Sequence, residues 1–359
     1  MNPDSAAALS EEELEFYSRQ IVLPHIGYAG QQVLREVRVC VAGVGGLGSV
    51  AATQLAAMGV GHLRLVDYDV VELSNLQRQH LYDASKIGFP KVEVAASRLR
   101  KLNPFVDVEP LPLAIRAHNA EEIIKGSDVV VDGLDRLAPR HTLNRACVKM
   151  GIPYVFGAAV SMYGNTSTIL PRETPCLQCF QGPVDDDALP SCSILGVHPS
   201  ILNLIASIQV SEAVRVLLHQ APRLAGKLLH CDLESLEFEM VELARADDCP
   251  ACGRRPPLSA AAPEGLEVTE LCSRQGRRTF AILPPRDLTL NMDQVYKLVE
   301  SLGLAIEVRG RLGTTFAWGS AGHASLLASG IMIVEGAQDD QEARHLYRSL
   351  VDEGLGIPL

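Results

Sequence analysis

Two sets of residues in this chain have types and spacings suited to chemistry. Val37 to Gly48 reads V-R-V-C-V-A-G-V-G-G-L-G, in which Gly43, Gly45 and Gly48 match G-x-G-x-x-G and Gly46 adds one more residue without a side chain. Bare N–H groups in such a turn approach an anion closely, and a helix from about Ser49 to Met58 would present its positive end to the same spot. Farther along, Cys176-Leu-Gln-Cys179 and Cys249-Pro-Ala-Cys252 form two C-x-x-C pairs in proline-containing loops. Four such thiolates close a tetrahedral Zn²⁺ site, whereas a redox C-x-x-C opens a helix after a strand, which the proline-flanked settings argue against.

The residues between these sets decide what the glycine turn holds. A strand at Leu63 to Val66 ends in Asp67, followed by Asp69, by Ser74-Asn75-Leu-Gln77-Arg78-Gln79, and by Lys91 at the head of a helix to Leu102. A nicotinamide or flavin enzyme has the same strand, turn, helix and acidic residue about 20 positions later, so the glycines alone do not discriminate. Such an enzyme needs an open face for its ring. An amide and two cations, Asn75, Arg78 and Lys91, suit a triphosphate better, because they neutralise charge that develops on phosphates. Beyond the apolar run 129–131 come Asp132, Asp135 and Arg136. A carboxylate past the end of a parallel strand lies in the ligand crevice and can hold Mg²⁺ against phosphate oxygens. Asp135, farther out on the loop, suits that task better than Asp132, which reads as a strand-end residue.

These residues need a frame, and the composition supplies one. The chain has 359 residues, 47% of them hydrophobic, enough for a substantial core and two domains. A formal charge of −11 disfavours nucleic acid or an anionic membrane as partner. The apolar region 194–218 is interrupted by His198, Asn203, Gln209, Glu212 and Arg215, which marks a buried helix rather than a membrane span. The acidic N-terminus lacks the blocks of a signal peptide, which places the protein in the cytoplasm. Ser10 before Glu11 to Glu13 reads as a helix cap, and Tyr17-Ser-Arg19-Gln20 as a solvated helix end unless something downstream engages it.

The expected architecture is α/β, a doubly wound, Rossmann-like and mostly parallel sheet carrying a structural zinc site, with a small C-terminal α+β domain. Its third strand is expected at 128–132. Strands at 151–160 and 165–170 follow, the second antiparallel after a Tyr163-Gly164-Asn165 turn, then a long helix at 199–218 and strands at 228–232 and 236–243. Residues 1–253 form the main domain, 254–265 a linker by composition, and 266–359 the small domain. The latter reads as strand 279–283, helix 291–302, strands 304–309, 314–318 and 331–334, and helix 340–352. Cys272-Ser-Arg-Gln-Gly-Arg-Arg faintly imitates a rhodanese loop, but it leads into a strand rather than a helix, so sulfur-transfer chemistry at Cys272 is not expected. Cys40, Cys147 and Cys231 fall in apolar patterns and read as inert core residues. Cys192 lies alone on a loop after the acidic run 185–187.

Tyr17-Ser-Arg-Gln20, the glycine turn, Asp67-Tyr-Asp69, Ser74 to Gln79, Lys91, Asp135 and both cysteine pairs occur in an order and spacing that closely resemble the MoeB/ThiF/HesA family, the bacterial relatives of ubiquitin-activating enzymes. The resemblance covers the first 253 residues. It implies a homodimer that binds ATP and Mg²⁺ and adenylates the C-terminal glycine of a small ubiquitin-like sulfur carrier ending in Gly-Gly, preparing it for thiocarboxylate formation. Carried onto this chain, Gly46 and its turn lie against the phosphates, Asp67 bonds the ribose, and Ser74 to Arg78 with Lys91 line the triphosphate. Asp135 holds the metal, Arg19 enters the partner subunit's site, and Cys192 is the candidate for a covalent link to the carrier. No rhodanese domain follows, so the chain is not expected to supply its own persulfide. Two other functions fit parts of the pattern. An NAD-dependent oxidoreductase would leave Arg19, Arg78 and Lys91 without a task, and a non-catalytic zinc-stabilised adaptor would not need Asp135.

Overall fold

The structure is a computed structural model that describes residues 8–182, 195–253, 265–274, 276–319 and 322–358. The chain begins with three helices, α1 (Glu11–Phe16), α2 (Ser18–Ile21) and α3 (Gly27–Glu36). Ser10 caps α1 reciprocally: its hydroxyl accepts the Glu13 N–H, and the Glu13 carboxylate accepts the Ser10 N–H.

A βα alternation follows, comprising β1 (Arg38–Ala42), α4 (Gly46–Ala57), β2 (His62–Val66), α5 (Lys91–Leu102), β3 (Asp107–Leu111), α6 (Ala120–Ile124), β4 (Val129–Asp132), α7 (Leu137–Met150) and β5 (Tyr154–Val160). Then come β6 (Tyr163–Ile169), α8 (Leu177–Gln181), α9 (Pro199–Leu217), β7 (Lys227–Asp232) and β8 (Glu237–Glu242). The strands form one sheet in the order β3-β2-β1-β4-β5-β6-β7-β8. From β3 to β5 neighbours run parallel, and from β5 to β8 they run antiparallel. The order reverses direction between β1 and β4, and the crevice beyond the carboxyl ends of these two strands is where such sheets bind ligands.

Helix α9 crosses this sheet. It is 19 residues long and apolar enough by composition to cross a membrane, yet its Gln209 and Glu212 side chains are buried and paired within the protein. Gln209 donates to the carbonyls of Asp132 and Val155, and Glu212 accepts from the Thr168 hydroxyl and the N–H groups of Arg223 and Leu224. These bonds and the apolar residues Ile201, Ile205 and Val210 make it a core helix.

The second sheet consists of β9 (Glu267–Arg274), β10 (Arg277–Leu283), β11 (Ile306–Arg309), β12 (Gly313–Trp318), β13 (Gly322–Leu327) and β14 (Met332–Glu335), in the order β11-β12-β13-β14-β10-β9. Every pairing in it is antiparallel. Helices α10 (Met292–Ser301) and α11 (Asp340–Tyr347) cover one face over a core that includes Phe316, Val299 and Tyr347, and α11 continues as a π-helical turn, Arg348–Gly354.

Several elements differ from the sequence expectation, each for a local reason. Helix α4 starts at Gly46, three residues early, because the glycines enter the helix instead of preceding it. An unexpected strand, β3, precedes the one at 129–132; its sequence D-V-E-P-L hides it, but Pro110 is tolerated at a sheet edge. The β5–β6 turn is at Ser161 and Met162, where Ser161 adopts φ 54°, and Tyr163 to Asn165 belong to the strand. In the second sheet β9 and β13 were unforeseen, their polar alternation giving little apolar signal, and the last α-helix ends at Tyr347.

Candidate active site

The glycine turn joins β1 to α4 at the switch point, and three backbones meet there. Gly43 has φ +85°, and a Cβ on it would lie 2.6 Å from the Gly133 carbonyl oxygen; one on Gly48 would lie 1.7 Å from the Gly43 oxygen. The turn is therefore pressed against the loop after β4, which carries Asp135. The other two glycines differ from each other. A Cβ on Gly46 would meet the Leu202 side chain of α9 at 2.8 Å, so a larger residue would have to displace it, whereas Gly45 faces open space with only the Gln79 amide at 3.8 Å. Gly45 occupies the N-cap of α4 with no side-chain cap, leaving the first-turn N–H groups available to an anion.

Around this turn stand the acids and cations of the following crossover. Asp67 accepts the Val44 N–H at 2.9 Å through one carboxylate oxygen and the Asp69 N–H at 2.8 Å through the other. Burial pushes its carboxyl up from the usual range, against the pull of Lys91. Lys91 opens α5, is buried, and places its ammonium 2.6 Å from Asp69. Burial disfavours the charge, but Asp69 and Asp67 outweigh it and hold the ammonium above its ordinary value.

Asn75 is buried and caps its own short turn through a bond from the Glu72 N–H. Gln79 is buried beside Gly45, and its side-chain oxygen has no hydrogen-bond partner among the described residues. Ser74 and Gln77 are exposed, and Arg78 folds back to donate to the Ser74 carbonyl at 2.7 Å. Asp135 is exposed at the crevice, close enough to Tyr68 to raise its hydroxyl pKa after burial has done so, while Arg136 is half-buried as the N-cap of α7. Asp132 is wholly interior, bound to Arg140 at 3.1 Å and to the Tyr154 hydroxyl at 2.6 Å.

Arg19 is not gathered into this group. Its neighbours fix α2 elsewhere: Gln20 donates to the Met58 carbonyl, and the Tyr17 ring lies against Gly59 and accepts a bond from Asn103. Those contacts are at the far end of α4, about 18 Å from the glycine turn at 1.5 Å per residue. Arg19 itself is exposed.

The four cysteines of the two C-x-x-C pairs do meet. All four Sγ atoms lie within 4.8 Å of one another, with Cys176–Cys249 at 3.5 Å, Cys179–Cys252 at 3.4 Å and Cys176–Cys179 at 3.9 Å. A tetrahedron of thiolates with bonds of about 2.3 Å has edges of roughly 3.8 Å, so this donor set fits Zn²⁺. One sequence argument needs correction: Cys176 is the N-cap of the short helix α8, so the first pair does open a helix. Its partnership with the second pair, and not the absence of a helix, sets it apart from a redox motif. Cys40, Cys147 and Cys231 are fully buried, and burial raises the Cys40 thiol to about 12. Cys192 and the acidic run before it lie outside the described residues. Cys272 is in β9, within an antiparallel sheet.

Sequence reasoning missed two participants. Glu72 and Arg274 join the acid–base group at Asp69, with Arg274 reaching Asp69 at 2.7 Å and Glu72 at 2.7 Å from the second sheet. Glu72 had a signal in its neighbours; Arg274 had none, being 205 residues from Asp69.

A doubly wound sheet with an uncapped glycine turn, a buried lysine and four cysteines placed to hold a metal defines a nucleotide-binding α/β protein. Residues 17–251 match the ThiF family, and the chain belongs to it. Within that family it is an adenylyltransferase. The "SAMP-activating enzyme E1" of Haloferax volcanii is 41% identical over 267 residues, covering 74% of this chain and 97% of that protein. The "Sulfur carrier protein adenylyltransferase" of Thermus thermophilus is 40% identical over 253 residues, covering 69% and 93%. Among solved structures, E. coli MccB with AMPCPP and MccA superposes with a TM-score of 0.61 at 21% identity over 68% of this chain and 75% of that one, a likeness of fold.

Proposed function

We propose that the chain uses ATP to adenylate the C-terminal glycine of a small ubiquitin-like sulfur carrier ending in Gly-Gly. The observation that carries this reading is Lys91, an ammonium buried against Asp69 and within reach of Asp67, whose carboxylate accepts the Val44 N–H of the glycine turn. A nicotinamide ring has no use for it, while a triphosphate does. The two relatives named for activating SAMP and a sulfur carrier supply the substrate class.

A carboxylate oxygen of the carrier's terminal glycine attacks the α-phosphorus of ATP. The bond from that phosphorus to the oxygen bridging to the β-phosphate breaks, and pyrophosphate leaves with the electron pair. The Gly43 to Gly48 turn and the first N–H groups of α4 hold phosphate oxygens, with Gln79 adding its amide at the open side near Gly45. Lys91 and Arg78 neutralise charge on the departing pyrophosphate, Asp67 bonds the ribose, and Ser74, Asn75, Gln77, Asp69 and Arg136 line the site. Asp135, an exposed hard-oxygen donor, suits Mg²⁺, which when bound shields the β- and γ-phosphate charge. Cys176, Cys179, Cys249 and Cys252 hold Zn²⁺ as a structural clasp.

Arg19 serves the partner subunit of a homodimer. Its distance from its own glycine turn supports this, as do the exposed apolar side chains of Phe16, Val22, Leu23 and Tyr28 around it. Cys192 serves a later sulfur-transfer step and not adenylation, and the protein works in the cytoplasm.

Carrier-dependent exchange of pyrophosphate into ATP tests the reading. Asp135→Ala and Arg19→Ala are each expected to lose roughly 10² to 10³ in rate. A mixture of the two variants should recover activity, since one heterodimer site is then intact; a mixture as inactive as its parents removes the role in trans. Wild-type protein that binds NAD and shows no exchange would favour an oxidoreductase. Metal analysis should find one zinc per chain, lost in Cys249→Ser; full occupancy in that variant would exclude the four-cysteine site.

A further inference from the structure

The C-terminal domain lies outside the stretch that matches the family, yet it reaches the crevice. Three carboxyl groups, Asp67, Asp69 and Glu72, stand there against two cations, Lys91 from α5 and Arg274 from β9. Asp69 binds both cations: one oxygen receives the Lys91 ammonium at 2.6 Å and the other the Arg274 guanidinium at 2.7 Å. Arg274 also reaches Glu72 at 2.7 Å, and its side chain is only 11% exposed. With its backbone bond to the Val70 N–H, Asp69 is saturated by protein groups. Its carboxyl lies below the usual carboxylate range, because Lys91 and Arg274 together outweigh the opposing and individually larger effect of burial.

A phosphate in the crevice must draw Lys91 away from Asp69 or share it. If Lys91 were the sole partner, that movement would leave a buried carboxylate unpaired, which is strongly disfavoured. Arg274 removes the conflict by keeping Asp69 paired while the ammonium turns. The second domain is locked to the segment that carries Lys91: the Thr315 hydroxyl donates to the Gly88 carbonyl at 2.7 Å, and Glu93 accepts the N–H groups of Arg311 and Leu312 at 3.0 and 2.8 Å. Guanidinium and ammonium are thus held in one frame.

We propose that Arg274 is a positioning residue of the adenylation site, by which the C-terminal domain holds Asp69 and releases Lys91 to the nucleotide phosphates. The inference rests on the assignment of Lys91 to ATP.

The test is pyrophosphate exchange with the full-length protein, with KM for ATP and kcat separated. Arg274→Gln should raise KM for ATP on the order of 10- to 100-fold, the range for losing a hydrogen bond to a charged group, with kcat little changed. Arg274→Lys should retain most of the affinity. Adding Asp69→Asn to Arg274→Gln should lower KM again, because no carboxylate is left to hold Lys91. Thr315→Val, which loosens the same seam without touching a charge, should lower Tm and leave KM unchanged. An unchanged KM in Arg274→Gln, an equal rise in Thr315→Val, or no recovery in the double variant would overturn the proposal. Should Arg274→Gln not fold, the double variant is compared with Asp69→Asn alone. Equal KM values support the proposal, and a higher KM in the double variant overturns it. A wild-type protein without any exchange would instead overturn the adenylation reading, and this inference with it.

Discussion

The glycine turn and the seam between the two sheets border the same crevice and are built in opposite ways. The turn is backbone against backbone, with Gly43, Gly48 and Gly133 meeting where no Cβ fits. The seam is side chain to distant partner: Arg274 to Asp69, Thr315 to Gly88 and Asn119 to Asp287, spanning 205, 227 and 168 residues of sequence. Close backbone approach tolerates one residue type, so it leaves a mark in the sequence; a polar seam can be made in many ways and leaves almost none.

The sharpest way to break this comparison is Gly48→Ala. Its new Cβ would lie 1.7 Å from the Gly43 carbonyl oxygen, and the turn itself would have to open. A loss of at least about 3 kcal/mol is expected, the upper end for overpacking. Denaturant unfolding measures it, and a loss near zero would mean that the turn opens easily.

Next in size is Asp287→Ala on the seam. Asp287 accepts from Asn119 at 2.8 Å and pairs with Arg116 at 3.2 Å, both largely buried. Arg116 keeps the Pro284 carbonyl and Asn119 that of Ala114, so the loss should be about 1–3 kcal/mol. Melting should register it while exchange at saturating ATP stays unchanged; a fall in that rate would mean the seam does more than position.

The smallest effect belongs to Glu93→Gln. An amide oxygen can keep one of the two N–H groups that Glu93 now accepts, so about 1 kcal/mol or less is expected in the same melting measurement.

The same contrast explains what the sequence disclosed. Asp67, Lys91 and the four cysteines were legible because their types are scarce at those spacings and their chemistry is local. The doubly wound order followed from βα alternation, but β3 did not, since Pro110 and its acidic neighbours obscure an edge strand that pairs with β2 alone. Gly46 was noticed for its place in the phosphate-facing turn, but its close contact with Leu202, far along the chain, left no mark in the sequence. Arg274 was visible only as part of a misleading imitation of an anion loop. Nothing within 50 residues of it points to Asp69, because the register of β9 against β10 and the docking of that sheet decide where it goes.

The contact between Gly43, Gly48 and Gly133 also constrains how such a protein can be recombined. Segments 43–48 and 133 lie far apart in the gene but behave as one mechanical part. A crossover between two homologues placed anywhere from residue 49 to 132 would unite loops shaped against different partners. Chimeras that exchange both segments together should therefore survive more often than those that exchange either alone.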